Sequence, residues 1–116
     1  GQIMDASLPT YYLTYWVRER NRFSIEHAIH KLTAEPAHLY GIKDRGTLRA
    51  GAFADINVLD FDALALHGPQ FVHDFPAGAG RYIQRAKGYE YTVVNGQVFM
   101  EQGEHAGALA GKVLRS

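Results

Sequence analysis

Two hydrophobic periods divide this chain. Up to about residue 41 the apolar positions recur at helical spacing, and from about residue 54 they alternate. Tyr12, Leu13, Trp16 and Val17 lie three to four positions apart, with Arg18, Glu19 and Arg20 mostly on the opposite side, and predict an amphipathic helix over about residues 8–20. Ser7 stands as its N-cap, and Pro9 falls in the first turn, where a missing N–H has no helical partner to lose. A second helix follows Ser24 as N-cap, with Ile25, Ala28, Ile29 and Leu32 as its apolar stripe and Phe23 placed to fold back as a staple. "TAEPAHLYG" predicts a third, short helix with Thr33 as cap, Pro36 in the first turn and Gly41 just past the end.

After Gly51 the period changes. Ala54, Ile56 and Val58 alternate with Asp55 and Asn57, as a half-buried strand requires. Residues 61–80 show no sustained period, contain Pro69 and Pro76, and read as a long irregular connection. Three further strands are expected at residues 81–86, 89–94 and 97–101. The last two are joined by Asn95-Gly96, the pair that best tolerates the two positive φ angles of a type I′ turn. The residues after 102 read as an extended tail, and there is no internal repeat. The fold class is mixed α and β: N-terminal helices, then a three- or four-stranded antiparallel sheet.

Composition narrows the partners. Twelve Lys plus Arg balance twelve Asp plus Glu, so no basic field for nucleic acid exists. Cysteine is absent, which removes disulfides and thiolate metal sites and fits a reducing compartment. No apolar run approaches the roughly 18 residues that span a bilayer. A soluble, cytoplasmic chain of one domain, with no membrane or nucleic-acid partner, is the expectation. At 116 residues it is long enough to bury a single modest core.

The order of the punctuation residues carries a resemblance. Thr33, Pro36, Ala37 and Gly41 are followed by Gly46, Leu48 and Gly51, and then by Ala54, Asp55, Ile56, Val58 and Asp60. This succession resembles the segment by which amidohydrolase-superfamily enzymes leave their (β/α)₈ barrel and enter a small β-sandwich. "DASLPTYYLTYWVRER" and the stretch from His73 to Arg115 resemble the C-terminal region of the N-acyl-D-amino-acid deacylases, the D-aminoacylase branch. The resemblance implies helices of an incomplete barrel over residues 1–45 and part of the small β-sandwich with a C-terminal tail over 46–116.

It also implies zinc-assisted hydrolysis of the amide of an N-acyl-D-amino acid in the intact parent enzyme, with an Asp as general base. The family's metal ligands and that Asp fall upstream of Gly1, the Asp in an Asp-Gly-Gly-Ala-His stretch that Asp5 does not match. Residues 1–7 would then border the active site. Asp5, Ser7 and Tyr11 are accordingly the candidates for substrate contact, with no catalytic residue and no metal ligand expected here, no cofactor in this segment, and no activity from the segment alone.

Within the chain itself, Asp55 sits where a carboxylate can cap a turn N–H, and Gly41 and Gly51 where a Cβ would be penalised. His27 and His30, three apart on one helix, could share a metal but lack a third ligand at readable spacing, and read as surface histidines. His73-Asp74 could be an orienting pair, with a simple loop hydrogen bond as the plainer reading. The aromatics of "TYYLTYW" could form a stacking surface or face a core. "GPQFVHDFPAGAGR" lacks the strand and helix context of a phosphate loop.

An alternative is an independent binding or assembly module, or a subunit completing an enzyme in trans. On the barrel reading, the stripes Leu13, Trp16, Val17 and Ile25, Ile29, Leu32 lose their strands, and self-association through these helix faces, as an oligomer or domain-swapped dimer, is expected.

Overall fold

The computed structural model describes residues 7–113. Helix α1, Leu8–Tyr11, runs directly into a π-helix, Tyr12–Glu19, whose wider turn shows in the bond from Arg20 N–H to Tyr15 O at 2.9 Å. The predicted helix is therefore present but wound differently. Closing i→i+5 bonds aligns residues four and five apart, so Leu13 and Val17 turn inward while Trp16, three from Leu13, is 41% exposed. The buried Thr14 hydroxyl donates to Thr10 O at 2.9 Å within this segment.

Helix α2, Ile25–Leu32, starts as expected, with the Ser24 side chain accepting from His27 N–H at 3.2 Å. Phe23 folds back onto the first turn of α2, stacking on His27, and also packs on Tyr12, each with ring centroids 5.6 Å apart. Thr33 does not cap α3, Ala34–Leu39; its hydroxyl donates backward to Ile29 O at 2.7 Å and so closes α2. Gly41, at φ +68°, ends α3: its N–H bonds to His38 O at 3.1 Å and that of Ile42 to Ala37 O at 2.8 Å, the paired bonds of a Schellman motif.

Among the described residues eight strands follow: β1 Ile56–Leu59, β2 Ala65–Leu66, β3 Gln70–Val72, β4 Arg81–Ile83, β5 Ala86–Lys87, β6 Tyr89–Val94, β7 Gln97–Glu101 and β8 Glu104–His105. An antiparallel four-stranded sheet runs β1-β6-β7-β8. β6 and β7 turn at Asn95-Gly96 with φ +49° and +78°, as the dipeptide predicts.

Residues 61–80 are where the expectation fails. They form half of a two-stranded arm, with β2 paired to β5 and β3 to β4, closed by a short 3₁₀ turn at Pro76–Gly78. The arm leaves the sheet between β1 and β6. Its ladders are two and three residues long, too short to show a period, and four steps separate Leu66 from Gln70 where three separate Ile83 from Ala86. The same irregularity divides the predicted strand 81–86.

The core lies where the helices meet the foot of this arm. Leu13, Val17, Ala28 and Leu64 are buried together, with Tyr12, Ile25, Leu32, Phe61 and Tyr89 packed around them. Gly88, at φ +92°, crosses Leu64 so closely that a Cβ would stand 2.7 Å from its backbone. The molecule is open for its size. Its accessible surface is 8876 Å², roughly 2,500 Å² above the area typical of a compact chain of this mass.

One network fixes the junction between helices and sheet. Arg45 pairs with Asp55 and donates to Asn95 Oδ1 at 2.7 Å, while Asp55 Oδ1 accepts the Asn95 N–H at 2.9 Å. Asn95 Nδ2 in turn donates to Ala110 O at 2.7 Å and holds the tail. Asp55 thus caps the hairpin turn as its position suggests. The Asn95 N–H, and then the Arg45 guanidinium, hold its carboxyl below the ordinary aspartate range.

Candidate functional site

The first helix carries the candidates for substrate contact. Asp5 lies outside the described residues. Ser7 adopts φ −103°, ψ −19°, closer to helix than to the extended backbone of a capping residue, and its side chain does not cap α1; its carbonyl accepts the Tyr11 N–H at 2.8 Å. Tyr11 is partly exposed and stacks on Tyr15, centroids 5.0 Å apart and planes 13° from parallel. Tyr15 meets Trp16 edge-on at 5.1 Å. Arg20 lies 5.0 Å from the centre of the Tyr15 ring and donates to its hydroxyl at 2.8 Å. Three of the four aromatics of "TYYLTYW" therefore form an aromatic shelf with one cation at its end, Tyr11 and Tyr15 meeting because they lie one turn apart.

The opposite side of the same helix is tied to the β region by groups that the sequence pattern does not reveal. The Thr10 and Tyr89 hydroxyls are hydrogen-bonded at 2.8 Å. Arg18 Nη1 donates to Phe61 O at 2.8 Å, Asp62 O at 3.1 Å and Leu64 O at 2.8 Å, which collects three carbonyls of the chain turn at the foot of the arm. A guanidinium suits this role because it offers several fixed N–H donors and keeps its charge. Nothing in "WVRER" distinguishes Arg18 from its exposed neighbours, since its partners are backbone atoms more than forty residues away.

The histidines do not converge. His27 and His30 are exposed on α2; His30 Nδ1 lies 3.9 Å from Glu35, which Lys31 already holds at 2.8 Å. His73 Nδ1 is 3.0 Å from Gly78 O, while Asp74 takes both ends of the Arg81 guanidinium at 2.8 and 2.6 Å, so these neighbours serve separate partners. His105 accepts the Gly107 N–H at 2.9 Å. The segment weighed as a phosphate loop is the arm tip, with a strand rather than a helix after its glycines.

An open groove of about 520 Å³ lies between β5 and the β7–β8 turn, lined by His67, Arg85, Lys87, Glu90, Gln102 and Glu104 among others. Arg85 approaches Glu104 across it at 3.9 Å. Among the described residues no group of three or more His, Cys, Asp or Glu is gathered as a metal ion requires, and no helix is long and apolar enough to cross a membrane.

Residues 2–100 match the Amidohydrolase family. The chain belongs to that family. It is 34% identical over 100 residues to the N-acyl-D-glutamate deacylase of Alcaligenes xylosoxydans xylosoxydans, an alignment covering 86% of this chain and 18% of that protein. It is 32% identical over 102 residues to the D-aminoacylase of the same organism, covering 88% and 19%.

The fold agrees. This amidohydrolase chain superposes on a solved D-aminoacylase with a TM-score of 0.73 and 27% identity, over 93% of its own length and 21% of the other's. It thus spans about a fifth of the relatives it matches. D-Aminoacylase has also been solved in work on the functional role of its binuclear metal centre. The described residues of the present chain do not fit such a centre, because no donor set of that kind comes together among them.

Proposed function

We propose that this amidohydrolase chain is the C-terminal segment of a zinc-dependent deacylase acting on N-acyl-D-amino acids. In this reading residues 1–45 are the closing helices of a (β/α)₈ barrel, and residues 46–116 are part of the small β-sandwich with its tail. The carrying observation is the 34% identity to an N-acyl-D-glutamate deacylase along 86% of the chain. Substrate contact comes from residues ahead of the first helix and from the helix itself, with Asp5, Ser7 and Tyr11 as the contacting residues, in keeping with active sites built at one barrel face. The metal ligands and the general base belong to the upstream portion of the enzyme, and the segment alone is inert and self-associates. A subunit that completes an enzyme in trans remains the competing reading.

A chimera tests this. The matching fifth of the Alcaligenes N-acyl-D-glutamate deacylase is replaced by residues 1–116, and release of D-glutamate from its N-acetyl derivative is measured. The reading expects a metal-loaded, active chimera whose activity falls when Tyr11 is changed to Ala. A chimera that folds and binds metal but releases no D-glutamate contradicts it.

A further inference from the structure

Asn95-Gly96 is the one Asn-Gly pair of the chain; Asn21 and Asn57 precede the bulkier Arg22 and Val58. In such a pair no side chain shields the following nitrogen, so it can attack the asparagine's own side-chain carbonyl, and asparagine is accordingly among the thermolabile residues. The Gly96 nitrogen gives up its proton and bonds to Asn95 Cγ, the Cγ–Nδ2 bond breaks, and Nδ2 leaves as ammonia. Water then opens the succinimide ring at either carbonyl to give aspartate or isoaspartate, with no change in oxidation state. Here every group that ring closure needs is engaged. The Gly96 N–H donates to Ala54 O at 2.9 Å. Arg45 Nη2 donates to Asn95 Oδ1 at 2.7 Å, and Asn95 Nδ2 donates to Ala110 O at 2.7 Å, which anchors the carboxamide at both ends. Asp55 Oδ1 holds the Asn95 N–H at 2.9 Å, and the backbone is fixed at φ +49°. Asn95 is only partly buried, so bonds rather than exclusion of water restrain it. Arg45 also polarises the carbonyl, which would favour attack were the carboxamide free to turn; the anchor at Ala110 prevents the turn.

We propose that Asn95 is a deamidation site that the junction network keeps closed, and that its conversion releases the C-terminal tail. The product has no Nδ2 donor, so the bond to Ala110 O is lost. Among the described residues no other hydrogen bond holds the chain beyond Gly107. Conversion also sets a second carboxylate beside Asp55, with Arg45 left to serve both. The isoaspartyl form adds a backbone carbon to the β6–β7 turn, whose geometry depends on its length. The site does not depend on the deacylase reading, since it requires only the turn and its partners.

The test is the rate of amide loss at Asn95 in the purified chain, followed by peptide mass spectrometry with isoaspartate detection in mildly alkaline buffer, with and without guanidinium chloride. The wild type, Arg45→Met and Leu64→Ala are compared. In native buffer the wild type should react at least about tenfold more slowly than in denaturant. Arg45→Met, with an unchanged far-ultraviolet circular dichroism spectrum, should react about tenfold faster than the wild type, the weight of one charge-assisted hydrogen bond. Leu64→Ala weakens the buried foot of the arm instead and should accelerate the reaction less, because local opening of the junction admits it before global unfolding does. Asn21 and Asn57 should keep their amides throughout. A native rate equal to the denatured one, a slower Arg45→Met, or an acceleration by Leu64→Ala that equals that of Arg45→Met overturns the proposal. Asn95→Asp tests the consequence separately: hydrogen exchange at residues 108–112 should become fast while Tyr89–Val94 stays slow, and unchanged exchange at 108–112 overturns release of the tail. None of these outcomes bears on hydrolysis, which the chimera addresses.

Discussion

The foot and the tip of the β2–β5 arm are made from similar residues and held by different forces. At the foot, Leu64 is fully buried among Leu13, Val17 and Ala28, and Arg18 gathers three carbonyls of the turn beside it. At the tip, Phe71, Phe75 and Tyr82 are all about half exposed, and order rests on the Arg81–Asp74 pair, the His73–Gly78 bond and edge-to-face ring contacts at 5.0 Å. Aromatic content therefore does not locate the core. What locates it is the point where the helices and the chain reversal coincide, so the first helix is rigidly coupled to the foot while the tip is held only by local contacts.

Substitutions that separate these two regimes fall in a clear order. Leu64→Ala removes the one large side chain that is fully buried among the described residues and should cost about 2–4 kcal/mol in urea unfolding. A loss below about 1 kcal/mol would mean that the foot is not the core. Arg18→Met keeps the aliphatic stem but strands three carbonyls, and should cost about 1.5–3 kcal/mol. Hydrogen exchange should then accelerate at residues 61–64 before it does so in the sheet.

Asp55→Asn acts at the junction instead. With about a third of the Asp55 side chain exposed, its loss should cost only about 1 kcal/mol. The carboxyl's pKa is lowered on folding, so its contribution is complete above the unfolded aspartate value of about 3.9 and is lost as pH falls through the lower folded value. Wild type and Asp55→Asn should therefore converge in stability under strong acid. An unchanged gap would assign the cost to packing. Arg81→Gln, at an exposed pair on the tip, should change unfolding by about 0.5 kcal/mol or less while loosening the exchange of residues 71–82.

The same contrast explains what the sequence made legible. Signals confined to a few adjacent residues held: Ser24 before α2, Gly41 in its Schellman motif, Asn95-Gly96 in its turn and Asp55 beside it. The punctuation from Thr33 to Asp60 was sufficient to place the family, because glycine and proline positions follow backbone geometry directly. Features that depend on distant partners did not show. The π winding moved Trp16 outward although its 3.6-residue period pointed inward. The arm's two ladders are too short to carry a period, and the Arg18 clamp and the Thr10–Tyr89 bond join positions 43 to 79 residues apart. Of the substrate-contact candidates, Tyr11 proved to stack on Tyr15, four positions along the helix.

The most direct measurement is metal content by elemental analysis of the purified 116-residue chain, together with hydrolysis of N-acetyl-D-methionine in the presence of added zinc. A segment of a larger deacylase, with its ligands elsewhere, predicts no stoichiometric zinc and no methionine released. One zinc per chain accompanied by turnover would contradict that account and would mean that the dispersed histidines described above assemble a working site.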